Sequence, residues 1–217
     1  MKILERRVIE TRIIEPCGGY SFFSLRTIIK EKKEINPSFI KYFLTAKSFN
    51  YNVLEFYCLG NQKIDYDVNY KKTMNSYVLS CLKKDGLLNF ENERILYQME
   101  DKSVMSDFDY SAVGKSLKFL RLKNGKSQGQ IVSKLSFGVY QRNMISKIEN
   151  MNKFRSSVPK IDRIEKILEI IHSSFEVFLF YYLKFSLFGT NWQEQKMFLN
   201  YEENRVKYLS VGEDNYN

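Results

Sequence analysis

Between Val113 and Ile171 apolar residues recur at helical spacing, but in short runs that each carry their own start or stop signal. Val113, Leu117 and Leu120 fall at i, i+4 and i+7 and predict a helix over 113–123. Asn124-Gly125 ends it, Gly supplying the left-handed conformation of a helix C-terminus. Ser127 reads as an N-cap and Gln130, three residues on, completes a capping box for a second helix that buries Ile131 and Leu135. Ser136-Phe137-Gly138-Val139 makes a turn. A third helix over 141–150 turns Ile145 and Ile148 inward and leaves Gln141, Arg142, Asn143, Ser146 and Lys147 outward. After a loop with Lys153 and Arg155, a fourth helix over 160–172 repeats Ile161, Ile164, Leu168 and Ile171, and Ser173 or Ser174 caps a fifth bearing Phe175, Phe178 and Leu179. The stretch is read as five short helices forming one small domain.

The charge is concentrated in the same place. The chain of 217 residues carries a net +9, yet residues 111–160 hold 11 Lys and Arg against the single carboxylate of Glu149, while residues 161–217 are net acidic. An excess confined to one window is the footprint of a polyanion-binding face.

The run KSQGQIVSKLSFGVYQRNMISKIEN resembles the Cro/repressor-like (XRE) helix-turn-helix family, whose signature places S-Q at the second helix and I-S-x-I-E-N at the end of the third. Its continuation to IDRIEKILEIIHSSFEVFLFYYL is similar to the Rgg/MutR branch of that family. The resemblance covers about 70 residues, and the turn before the third helix is one residue longer than the common spacing. It implies a domain over 113–190 that docks on double-stranded DNA with the third helix in the major groove. Arg142 would then bond a guanine, and Gln141 or Asn143 an adenine, with Ser146 on the same face. Gln128, by the family pattern, would touch a phosphate, and Lys126, Lys147, Lys153 and Arg155 would neutralise the backbone. Glu149 is read as a structural anchor, because a carboxylate beside phosphates would repel. The resemblance also implies a homodimer on two half-sites. Here the domain lies near the C-terminus rather than at the N-terminus, so the peptide sensing of that branch is not carried over.

The first half has no comparable signature. Residues 1–16 alternate as a strand would and break at Pro16-Cys17-Gly18-Gly19, after which helices are expected over 22–33, from Asn36-Pro37 to Lys47, and over 52–59 before Gly60. INPSFIKYFLTAKSFNYNVLEFYCLGN faintly resembles the second half of the same repressor-like fold. Tyr70 to Lys84 reads as a helix ended by Gly86, and LLNF-EN-ERILYQM as a hairpin around Glu91-Asn92. The fold class is therefore mainly α, with a C-terminal five-helix domain and an N-terminal α+β domain over 1–100. For the latter, a winged-helix-like fold and a degenerate helix-turn-helix both stay open. Residues 101–112 are the expected linker. In 191–217, Asn191 and Glu194 cap a last helix from Trp192 to Leu209.

Catalysis is not expected. The one histidine, His172, ends an apolar helix face, no cluster has metal-ligand spacing, and no glycine-rich loop follows a strand. Neither cofactor nor metal is expected. Cys17, Cys58 and Cys81 form no C-x-x-C pair and are read as reduced thiols of a cytoplasmic protein. The most apolar run, 175–188, is interrupted by Glu176, Lys184 and Ser186 and is too short for a membrane span. Three functions remain: a repressor-like transcriptional regulator; a bipartite mobile-element protein whose first 100 residues inhibit another protein, a toxin or a CRISPR nuclease, while the C-terminal domain represses its own promoter; and an interaction domain with no DNA role.

Overall fold

The sequence of Phe175–Leu187 is apolar around its whole circumference, and such a helix must be covered on all sides. The computed structural model describes residues 38–48, 50–61, 63, 65, 68–102, 107–135, 142–152 and 158–213. These hold ten helices: α1 Phe39–Ser48, α2 Val53–Gly60, α3 Tyr70–Lys84, α4 Phe90–Lys102, α5 Tyr110–Lys123, α6 Gln128–Lys134, α7 Arg142–Glu149, α8 Ile161–Ile170, α9 Phe175–Leu187 and α10 Trp192–Glu213. α9 is the axle. Every residue from Phe175 to Phe185 is buried, and α2, α3, α4, α5 and α8 pack around it.

Burying α9 also buries its polar groups, and each is paired. Glu176 accepts a bond from Tyr77 Oη at 2.6 Å. Lys184 Nζ donates to Glu194 Oε1 at 2.7 Å and to Asn92 Oδ1 at 2.9 Å, and Asn92 Nδ2 donates onward to Tyr181 Oη at 2.9 Å. Glu194 is held in turn by its capping box with Asn191, whose N–H donates to Oε2 at 2.8 Å. The expected Asn191–Glu194 cap thus lies beneath α9 as well as at the start of α10.

The first half departs from expectation. Among the described residues it contains no strand, and the expected hairpin around Glu91-Asn92 is the first turn of α4. The reason is periodicity: Asn92, Ile95, Leu96 and Met99 are buried at i, i+3, i+4 and i+7, a helix face rather than an alternating strand. Asn89 Oδ1 opens the helix by accepting the Asn92 N–H at 2.8 Å. An α+β fold, and a winged helix with it, finds no support among the described residues of 38–100. The strand expected over 1–16 and the helix over 22–33 lie outside the described residues.

The linker reading also changes. Asp109 is the N-cap of α5, accepting from Ser111 N at 2.8 Å and Ala112 N at 3.1 Å, so that helix starts three residues before Val113. Phe108 packs on Phe39, Phe43 and Tyr182, with ring centroids 5.4–5.9 Å apart. One hydrophobic core runs from Phe39 to Phe185 across both halves. Among the described residues no helix is long and apolar enough to cross a membrane.

Candidate nucleic-acid interface

Three short helices assemble the candidate site. α5 offers Val113, Leu117 and Leu120 to the core, as expected, and ends at Gly125, whose φ is +62°. Gly125 N bonds Leu122 O at 3.0 Å and Lys126 N bonds Arg121 O at 3.0 Å, closing the helix end in the pattern that glycine favours. Ser127 then caps α6: Gln130 N donates to Ser127 Oγ at 3.1 Å and Ser127 N to Gln130 Oε1 at 2.8 Å. α7 is strongly two-faced. Ile145, Ile148 and Glu149 are buried, whereas Asn143 and Lys147 are exposed and Ser146 is half-buried. Asn143, Ser146 and Lys147 share one face because they are three and four residues apart.

The buried side of α7 is fastened by a charged knot. Arg121 Nε and Nη2 reach Glu149 Oε1 and Oε2 at 2.5 and 2.8 Å, the bidentate geometry that suits guanidinium and carboxylate. Arg121 Nη1 donates to Lys126 O at 2.8 Å, and Gln128 Nε2 donates to Glu149 Oε2 at 2.7 Å. One carboxylate thereby ties α5, the α5–α6 turn, α6 and α7 together. Burial opposes the charge on Arg121, but the paired and hydrogen-bonded Glu149 more than offsets it and holds the guanidinium above its ordinary pKa. Tyr201 of α10 covers the outer face of Arg121, its ring centre 4.7 Å from Cζ.

Gly114 sets the distance between α5 and α7. A Cβ there would lie 2.6 Å from the carbonyl oxygens of both Ile148 and Glu149. A side chain at that position would push the two backbones apart.

The cations of the basic window divide into two sets. Arg121 is internal, and Lys118 pairs with Glu202 of α10 while lying over the rings of Phe198 and Tyr201. Lys115, Lys123, Lys134, Lys147 and Lys160 are exposed. Asn143, Ser146 and Lys147 come together on the outer face of α7, as the sequence reading required. Lys126, in the turn before α6, is half-buried, with its carbonyl engaged by Arg121. Gln128 is half-buried and one of its amide N–H groups is committed to Glu149. The backbone of Arg142 opens α7, and Gln141, Lys153 and Arg155 lie outside the described residues.

Sequence reasoning assigned Glu149 an anchoring role but missed its partner Arg121 and the close approach at Gly114. Both left a trace: a lone carboxylate in a basic window, and a glycine inside a helix that has better formers available. Compared with known protein families, with curated proteins and with solved structures, the chain matches none.

Proposed function

We propose that the protein is a sequence-specific, repressor-like transcriptional regulator whose residues 113–183 form a helix-turn-helix DNA-binding domain and whose helix α7 reads the major groove. The observation that carries this reading is how α7 is held. Its inner face is locked by Glu149, Arg121, Gln128 and the contact at Gly114, while its outer face leaves Asn143 and Lys147 in solvent. A reading element must hold its side chains against base edges without paying to order itself at each encounter, so rigid support of one polar helix face fits the task. The exposed lysines of the same basic window supply the phosphate attraction that gives affinity and salt dependence.

Asn143 suits an adenine edge, and Arg142, at the N-terminal end of α7, suits the paired acceptors of guanine. Lys147 and Lys126 serve the phosphates. The test is binding to duplexes from the region upstream of the protein's own gene, at two salt concentrations, with wild type and Arg142→Ala/Asn143→Ala. One duplex is expected to bind tightly and to lose roughly 1–3 kcal/mol per removed base contact in the variant. Lys147→Ala is expected to weaken all duplexes alike and to lower the salt slope by about one. Binding that ignores sequence, or no binding, would overturn the reading.

A further inference from the structure

Two segments of the chain follow the same course, each residue 122 positions after its counterpart. Ser38 and Lys160 each precede a helix of ten residues, α1 and α8. Each helix closes on a residue with left-handed backbone, Asn50 at φ +60° and His172 at φ +58°, the two such residues other than glycine among those described. The closing bonds correspond one for one. Asn50 N reaches Lys47 O at 3.0 Å and Tyr51 N reaches Ala46 O at 3.1 Å; His172 N reaches Glu169 O at 3.1 Å and Ser173 N reaches Leu168 O at 3.0 Å. Two residues beyond the left-handed position stand the N-caps Asn52 and Ser174, both extended, with φ/ψ of −73°/165° and −91°/160°. Each side chain takes the N–H three residues on, at Glu55 and Val177, and α2 and α9 begin at Val53 and Phe175. Three buried positions also correspond, Tyr42 with Ile164, Ala46 with Leu168 and Phe56 with Phe178, whereas buried Phe39 and Phe43 answer to half-buried Ile161 and exposed Glu165.

The copies meet where they are equivalent. Ser38 pairs with its own counterpart, Lys160, in an antiparallel bridge, and Phe39 N donates to Pro159 O at 2.9 Å. A residue that faces its own equivalent antiparallel lies on a two-fold axis, the arrangement of an isologous dimer contact. Beside that bridge, Phe39 rests on Phe178 with ring centroids 5.4 Å apart.

We infer that residues 38–60 are a second copy of the unit built by residues 160–182, seated where a second chain would sit in a two-fold dimer, so that the protein works as a single chain on DNA. Tethering makes that pairing intramolecular and independent of protein concentration. The S-Q…I-S-x-I-E-N run occurs once, at 127–150, so one chain brings one reading helix to one half-site, and its DNA target is not a palindrome. The statement about DNA rests on the function proposed above; the duplication and the single-chain state do not.

Light scattering on the full chain over a wide concentration range is expected to give the mass of one chain, 25.8 kDa, throughout. A stable mass of two chains would overturn the inference, whether or not any duplex is bound. On a duplex that passes the binding test, one chain per site is expected, and an added inverted copy of the site should bind a second chain independently. Cooperative binding of the pair would overturn it. Failure to bind any duplex would remove the DNA function and leave the mass measurement to decide the single-chain state.

Discussion

Removing the Glu149 carboxylate leaves Arg121, 1% exposed, charged and without its counter-ion. Breaking a buried pair from one side costs about 3–5 kcal/mol, because the remaining charge has neither water nor a counter-ion and keeps only the Lys126 carbonyl and the Tyr201 ring. Glu149→Ala should therefore lower the unfolding free energy measured by urea titration by that amount, and a loss of less than about 1 kcal/mol would show that the knot is not the fastening described. Lys147→Ala, exposed two residues earlier, should change stability by no more than about 0.5 kcal/mol. His172 offers the opposite test. Its left-handed backbone costs an L-residue about 1–2 kcal/mol, part of which glycine's greater freedom in the unfolded chain takes back. His172→Gly is expected to raise the melting temperature, and an unchanged or lower value would mean that the imidazole makes an offsetting contact.

At the scale of elements, the α5–α7 approach at Gly114 sets two effects against each other. Alanine is better than glycine inside a helix by about 1 kcal/mol, yet its Cβ would overlap two carbonyl oxygens that belong to backbone and cannot swing away. Overlap with backbone decides the sign. Gly114→Ala should be net destabilising by about 1–3 kcal/mol in thermal unfolding and should weaken specific DNA binding by displacing α7. A variant as stable as wild type would mean that α5 and α7 slide apart freely. Several element boundaries were legible in the chain: Ser127 with Gln130, Asn191 with Glu194, and Tyr70 to Lys84 lie where expected, because caps and stops are local chemistry. α4 was misread as a hairpin because Glu91-Asn92 resembles a turn, and its helical face at 92, 95, 96 and 99 mixes one amide with three apolar residues.

For the whole molecule the shared core predicts cooperativity. Helices from both halves pack on α9, so chemical unfolding followed by circular dichroism and by amide exchange should show one transition for residues 38–190. Two separated transitions would restore a boundary near residues 101–112. Alkaline pH should weaken the fold as a unit. Burial pushes the Cys58 thiol and the Tyr42, Tyr57, Tyr181 and Tyr182 hydroxyls up from ordinary values of 9.0 and 10.0. The folded chain then keeps protons that the unfolded chain releases, so this contribution is fully present below pH 9 and is lost as pH rises above it. The urea midpoint should hold near pH 8 and fall beyond about pH 10, and a midpoint independent of pH would mean that these groups ionise in place.

The sequence by itself determined the helix stop at Asn124-Gly125, the caps at Ser127 and Asn191, the two-faced character of α7 and the location of the basic excess. Each of these depends on neighbours within one or two turns. Only the tertiary structure decided which cations remain available, since Lys118 and Arg121 are claimed by Glu202 and Glu149, 84 and 28 residues away. It also decided that α9 is shared by both halves. Contacts at such separations leave no periodic trace in the chain, because a local pattern records which face of a helix is covered and not what covers it.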